Sequence, residues 1–150
     1  QVRQLWALRE NVTEAEAKHG SSLKHDISVP LVRMSAFLTD ASAAVSAVAP
    51  STGLNLFGHL GDGNLHYNVL TKAGHDAAAI NRAVHDAVDR HGGSISAEHG
   101  IGRYRVDEWM RIAPEADRHL AETIKTALDP NGLLNPGKVL PAGRHHRGSI

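Results

Sequence analysis

Apolar and polar positions divide the chain into elements of alternating period. Over residues 3 to about 19, Leu5, Leu8, Val12 and Ala15 recur at helical spacing, and Gly20 supplies a stop. From Lys24 to Val32 the period falls to two. Ile27, Val29 and Leu31 alternate with polar neighbours, and Pro30 marks an edge or the end of that strand. Met34 to Ala49 returns to helix, with Phe37, Leu38, Ala41, Val45 and Val48 inward and Pro50 and Gly53 as breakers. Leu54 to Leu70 holds two apolar-alternating runs about Asp62-Gly63, the pattern of a hairpin. A helix over Ala77 to His91 carries Ile80, Val84, Ala87 and Val88 on one stripe, with Gly92 as its cap. Gly93 to Ala97 reads as a short strand and Val106 to Arg111 as a short helix. Pro114 opens a last helix whose inward stripe is Leu120, Ile124 and Leu128. After the first helix the order is βαββαβ, the split pattern of ferredoxin-like folds. The expected class is α+β: an antiparallel sheet with helices on one face, the other left for a substrate or partner.

The hairpin has a chemical consequence. If Asp62 and Gly63 form a two-residue type I′ turn, His59 faces His66, Leu60 faces Leu65 and Phe57 faces Asn68. Leu56, Leu60, Leu65, Tyr67 and Val69 then share a core face, and Phe57, His59, His66 and Asn68 share the other. Opposed Cβ atoms stand about 4.5–5.5 Å apart, so both imidazoles can reach one metal ion. A polar sheet face with two solvated histidines fits the same spacing.

Composition narrows the classes. The 150 residues suffice for one domain with a real core. Sixteen basic and sixteen acidic residues cancel, which gives no electrostatic case for nucleic acid or an anionic membrane. There is no cysteine, so thiolate metal sites and disulfides are excluded. No apolar run approaches the ~20 residues of a membrane span, and no signal-peptide pattern occurs. The chain opens on Gln1 within a helical pattern and reads as an excised domain or a truncated chain. Of eleven histidines, His75, His85, His91 and His119 are read as surface or helix-end residues. His145 and His146 fall in a polar tail, 142–150, expected to be disordered. His59, His66 and His99 adjoin glycine-shaped loops, and His25 is a weaker fourth. The glycines of Gly58 to Gly63 lie in a hairpin rather than between a strand and a helix, so the phosphate-cradle reading fails.

GHLGDGNLH, then AEHGIG some thirty residues on, then LDPNGLLNPGK occur in that order, with LWALRE and KHDISVPL before them. This set resembles the C-terminal domain of FAD-linked oxidases, the D-2-hydroxy-acid dehydrogenases of the vanillyl-alcohol-oxidase type. That family includes D-2-hydroxyglutarate dehydrogenases, which look most similar, with D-lactate dehydrogenases and glycolate oxidase subunits as relatives. The resemblance spans residues 5 to 141. It implies that Arg9 and Thr13 grip a substrate carboxylate, that Lys24 contacts substrate, and that Asn135 touches flavin. It also implies FAD held mainly by an N-terminal domain absent from this chain, a small 2-hydroxy acid as substrate, and a protein or quinone as electron acceptor. A homodimer is a further possibility. A cytoplasmic location, or a peripheral one at the membrane, accords with the absence of a span.

Within that frame His59, His66 and Glu98 form a two-histidine, one-carboxylate set with open positions, suited to a catalytic metal. Zinc is the first choice, with manganese or iron also compatible. His99 could take the substrate hydroxyl proton, since an imidazole suits a base at neutral pH; it could equally be a ligand or a hydrogen-bonded loop residue. Asn68, on the histidine face, could hydrogen-bond the substrate. Without the resemblance, Arg9 and Lys24 read as solvated charges and Asn135 as a turn residue. Two rivals stand beside the dehydrogenase: a stand-alone zinc hydrolase activating water, and a non-catalytic module binding a metal or a small acid.

Overall fold

The computed structural model describes residues 2–18 and 20–142, so the tail from residue 143 lies outside it. The first helix is two: α1, Val2–Glu10, and α2, Val12–Ala17, meet at Asn11. Strand β1 runs Ser22–Ser28, two residues earlier than the periodicity placed it, and stops short of Pro30, which cannot donate to a ladder. A 3-10 turn, Leu31–Arg33, leads into α3, Met34–Val48. Strands β2, Leu54–His59, and β3, Asn64–Leu70, make the hairpin. Then come α4, Ala77–Arg90, α5, Val106–Ile112, and α6, Glu115–Leu128.

The sheet is antiparallel, in the order β1-β3-β2. The fold is α+β as expected, with one strand reduced. Among the described residues, Gly93 to Ala97 pairs with the sheet only at a Ser28–Ser94 bridge on the outer side of β1. This is the position of the fourth strand in a 4-1-3-2 order. Its brevity has a cause: beyond the bridge, the backbone of this segment turns to a side chain of β1, as described below.

The core lies on one face of the sheet. Ile27, Leu65, Tyr67 and Val69 pack against Phe37, Ala41 and Val45 of α3 and Ile80, Val84 and Val88 of α4. The stretch Leu31–Val48 is long and apolar enough to cross a membrane by those two criteria. Its buried residues, among them Met34, Phe37, Ala41 and Val45, mark α3 as a core helix of this fold.

Several expectations change. Val48, expected inward, and Leu56 and Leu60, expected on the core face, are exposed, Leu60 because it lies in the hairpin turn rather than in a strand. The stripe of α6 does not face inward: Leu120, Ile124 and Leu128 are exposed, as are Val2, Leu5 and Trp6 of α1. No element among the described residues packs over α6 closely enough to bury any of its side chains. His85 is not a surface residue; it is 4% exposed, edge-on to His25 with ring centroids 5.5 Å apart.

Candidate active site

The site grows from the second face of the sheet. The hairpin is not a two-residue type I′ turn. Leu60–Asp62 form a 3-10 turn and Gly63 follows at φ 75°, so four residues connect the strands. The register moves by two: His59 pairs with Asn64, and Phe57 with His66. A slip of one would have turned every side chain over, whereas a slip of two leaves the faces intact. His59 and His66 therefore remain on one face, as diagonal rather than opposed neighbours, a spacing long side chains still bridge. Gly63 is required twice over. Its φ favours glycine, and a Cβ there would lie 2.3 Å from the Val29 carbonyl oxygen.

On that face β1 contributes Asp26 beside His66, and Lys24 beside Asn68. Asp26 is 2% exposed. Its Oδ2 accepts the backbone N–H groups of Glu98, at 2.9 Å, and His99, at 2.8 Å. Its backbone carbonyl accepts the N–H of Ala97 at 3.2 Å. Three consecutive amides thus converge on one residue. The His99 Nδ1 lies 3.6 Å from the same Oδ2. Burial pushes the Asp26 carboxyl upward, but the two amide donors and the facing His99 and His66 outweigh it and hold the group below its ordinary value. The other oxygen, Oδ1, is buried with no protein partner among the described residues.

The loop so held presents Glu98 and His99 to the hairpin. Glu98 Oε1 stands 3.7 Å from His59 Nδ1, and Arg9 Nη2 reaches across from α1 to His59 Nε2 at 2.6 Å. A guanidinium only donates, so His59 accepts at Nε2 and carries its proton on Nδ1, toward Glu98. The His66 ring lies between Phe57, at 4.9 Å centroid to centroid, and His99, at 6.1 Å. Ligating atoms of Asp26, Glu98 and His99 lie within 4.8 Å of one another, and of these Glu98 is the one that also stands near His59. His59, Glu98 and His99 are all partly open to solvent.

The fold separates the remaining candidates from this cluster. Lys24 and Asn68 gather around Glu16 of α2 instead. Glu16 is 4% exposed, accepts from Ser22 Oγ at 2.7 Å and Asn68 Nδ2 at 2.9 Å, and lies 4.0 Å from Lys24 Nζ. The histidine face is therefore partly roofed by α1 and α2 rather than bare. The side chain of Thr13 lies outside the described residues. Asn135 takes φ 47° in the C-terminal turn and lines a concavity of about 570 Å³ with Lys125 and Asp129. A second concavity, of about 540 Å³, lies between α1–α2 and the edge of β2, next to Glu16. Neither contains the histidines, which stand on the open sheet face; the side-chain geometry, not the concavities, marks the site. The C-terminal segment also touches the loop, where Val139 N donates to the Gly102 carbonyl at 2.7 Å.

Asp26 and Glu16 escaped the sequence reading. The available signal for Asp26 was a carboxylate in mid-strand beside Ile27, a position that demands partners once buried. Glu16 gave none beyond one acid among several on a helix.

The chain matches the family described as FAD linked oxidases, C-terminal domain, over residues 1–139. It is 38% identical over 149 residues to a D-2-hydroxyglutarate dehydrogenase of Stutzerimonas stutzeri, covering 95% of this chain and 32% of the relative. It is 41% identical over 146 residues to one from Xanthomonas citri pv. viticola, covering 93% and 31%. With the mitochondrial D-2-hydroxyglutarate dehydrogenase of Bos taurus it shares 39% over 142 residues, covering 93% and 26%. The chain thus spans about a third or less of these relatives' length.

Proposed function

This chain belongs to the family of FAD-linked oxidase C-terminal domains, and from that premise we propose that it is the substrate- and metal-binding part of an FAD-dependent D-2-hydroxy-acid dehydrogenase. The observation that carries the reading is the meeting of His59, Glu98 and Arg9 at one point of the sheet face, with His66 and His99 beside them. Family membership favours this reading over the zinc hydrolase and the simple binding module.

The residues fit a divalent ion. Two imidazoles and a carboxylate are a ligand set for zinc or manganese, and the Asp26 Oδ1 beside them, buried without a partner among the described residues, supports a polar guest there. His59, His66 and Glu98 would hold the ion, whose chemistry is that of a Lewis acid on the substrate hydroxyl. Arg9 supplies a planar fork for one carboxylate, and Lys24, which stands beside Glu16 on the same sheet face rather than in the histidine cluster, would serve the far carboxylate. Two cations suit a dicarboxylate such as 2-hydroxyglutarate, in line with the relatives' names. His99 takes the hydroxyl proton as the C–O bond becomes a carbonyl. The hydride leaving C2 needs an acceptor that this chain does not offer, which is the part flavin plays when bound. With the proton on His99 and the hydride on that acceptor, the conversion of a 2-hydroxy to a 2-oxo acid would balance. Asn135, on the concavity of the C-terminal turn, would add a contact to FAD held mainly by another domain.

The test has two arms on the enzyme that carries this domain. Elemental analysis should show metal lost in His59→Ala and in Glu98→Ala; unchanged content in both refutes the ligand set. Rapid-mixing flavin reduction should slow by about 10²–10⁴-fold in His99→Ala, the usual worth of a general base. A normal reduction rate with weakened substrate binding would reassign His99 to binding.

A further inference from the structure

The loop that carries Glu98 and His99 has little of its own to fix it. Gly100 and Gly102 follow at φ 72° and 57°, and ahead of residue 97 the segment pairs with the sheet only at the Ser28–Ser94 bridge. What orders its functional end is a single residue some seventy positions earlier in the chain. We propose that Asp26 is the positioning residue of the site: its backbone carbonyl and its buried carboxylate together hold the amides of Ala97, Glu98 and His99, and so set where the Glu98 carboxylate and the His99 imidazole stand against the hairpin histidines.

Three features support a positioning role. The contacts are to backbone, so they fix the chain rather than one rotamer. Asp26 sits on β1 directly beside His66 of β3, so loop and hairpin are referred to the same rigid sheet. The same Oδ2 also lies 3.6 Å from His99 Nδ1, beyond a hydrogen bond but near enough to draw that imidazole toward the carboxylate. A carboxylate that accepts from main-chain amides makes charge-assisted bonds, stronger than neutral ones. Sites held within about half an ångström by such support are the ones that bind and react well.

The inference rests on the proposed function for its consequence but not for its geometry, and the experiment separates the two. In the enzyme carrying this domain, amide hydrogen exchange of residues 97–99 is measured in the wild type, Asp26→Ala and Asp26→Asn, alongside zinc affinity by competition with a chromophoric chelator. An asparagine oxygen can still accept both N–H bonds; alanine cannot. Asp26→Ala should lose protection at Glu98 and His99, whose acceptor is the carboxylate, more than at Ala97, whose acceptor is the residue-26 backbone carbonyl, and bind zinc at least 10-fold more weakly, within the 10–100-fold range for groups that orient ligands. Asp26→Asn should keep the protection and most of the affinity. Unchanged exchange in Asp26→Ala overturns the proposal. So does an Asp26→Asn variant that keeps its amides protected but loses zinc as fully as alanine, since Asp26 would then act by charge or ligation. If Asp26→Ala does not fold, Asp26→Asn still decides: loss of protection there, in an otherwise native exchange pattern, also counts against it. A wild type that binds no zinc would overturn the proposed function while leaving the exchange result to judge Asp26.

Discussion

Mild acid should loosen this domain through His25, the residue between Lys24 and Asp26 on β1. Its side chain lies on the core face, 3% exposed. Nδ1 is 2.9 Å from the Tyr67 carbonyl oxygen and Nε2 is 2.9 Å from the Asn81 carboxamide. Burial, followed by the neighbouring His85 and Arg105 charges, lowers its pKa from 6.5 to about 4, although its two hydrogen bonds pull the other way. The ring is therefore neutral at pH 7. It donates from Nδ1 to the Tyr67 carbonyl, which leaves no proton on Nε2 for the Asn81 Oδ1 that faces it. Above pH 6.5 neither the folded nor the unfolded chain protonates this group. As the pH falls below 6.5 the unfolded chain takes up a proton that the folded one refuses, and stability drops until about pH 4. At about 1.36 kcal/mol per unit, the loss by pH 5 is about 2 kcal/mol, and it approaches about 3 kcal/mol at pH 4. His85, whose pKa burial also lowers, adds to the slope in the same direction. The paired carboxylates of Asp26, Glu108 and Asp129 are all held low and contribute below this window. Urea unfolding at pH 7 and pH 5, on the wild type and on His25→Gln, measures the effect. The variant should be weaker at pH 7 but lose about 2 kcal/mol less on acidification. Equal losses in the two proteins would refute the reasoning.

Arg9→Lys should not be conservative: lysine keeps the charge but loses the planar fork, so catalytic efficiency on the preferred acid should fall clearly in steady-state kinetics of the enzyme carrying this domain. Equal kinetics would make Arg9 a surface charge of α1. Gly93→Ala should destabilise by about 1–3 kcal/mol in urea unfolding, the usual range for overpacking. Its new Cβ would meet the Ser28 carbonyl oxygen at 2.2 Å and the Val29 and Val88 methyls at 2.7 and 2.9 Å.

The sequence was most legible where a period governs a long element. Most of the α3 and α4 stripes and the strand-borne faces of the hairpin lie where alternation put them, because burial of one face enforces parity; Val48, Leu56 and Leu60 do not, the last because it joins the turn. Register was not legible. Parity is blind to a slip of two, and the Asp-Gly pair does not by itself reveal that Leu60 and Gly61 join the turn. The α6 stripe shows the complementary failure. Helical spacing identifies an apolar face but not which way it points, and in this chain Leu120, Ile124 and Leu128 meet solvent. The site was half legible. Histidines and glycines announce themselves in clusters, whereas Asp26 acts over a separation of 72 and 73 residues on Glu98 and His99, which no local pattern encodes. His85 failed for a related reason: its setting on α4 reads as polar, and only the packing of α5 brings Glu108 to within 3.3 Å of its Nδ1.

The Asp26 contact also bears on when the site can exist during folding. The hairpin closes over only four residues and is a microsecond event in isolated chains. Its docking onto β1 spans from Ser28↔Asn64 to Ser22↔Leu70 and must wait for a longer loop to close. The bond from Asp26 to the 97–99 amides closes a longer one still, after β1 is in the sheet, and loop-closure entropy is spent before such contacts return anything. By sequence separation Glu98 and His99 are therefore expected to reach their places last. An intermediate with a formed hairpin would display His59 and His66 without the carboxylate, a pair that holds an ion only loosely. On the proposed function, that order would delay full coordination until the sheet is complete, and tight capture of an ion would report a chain that has already folded.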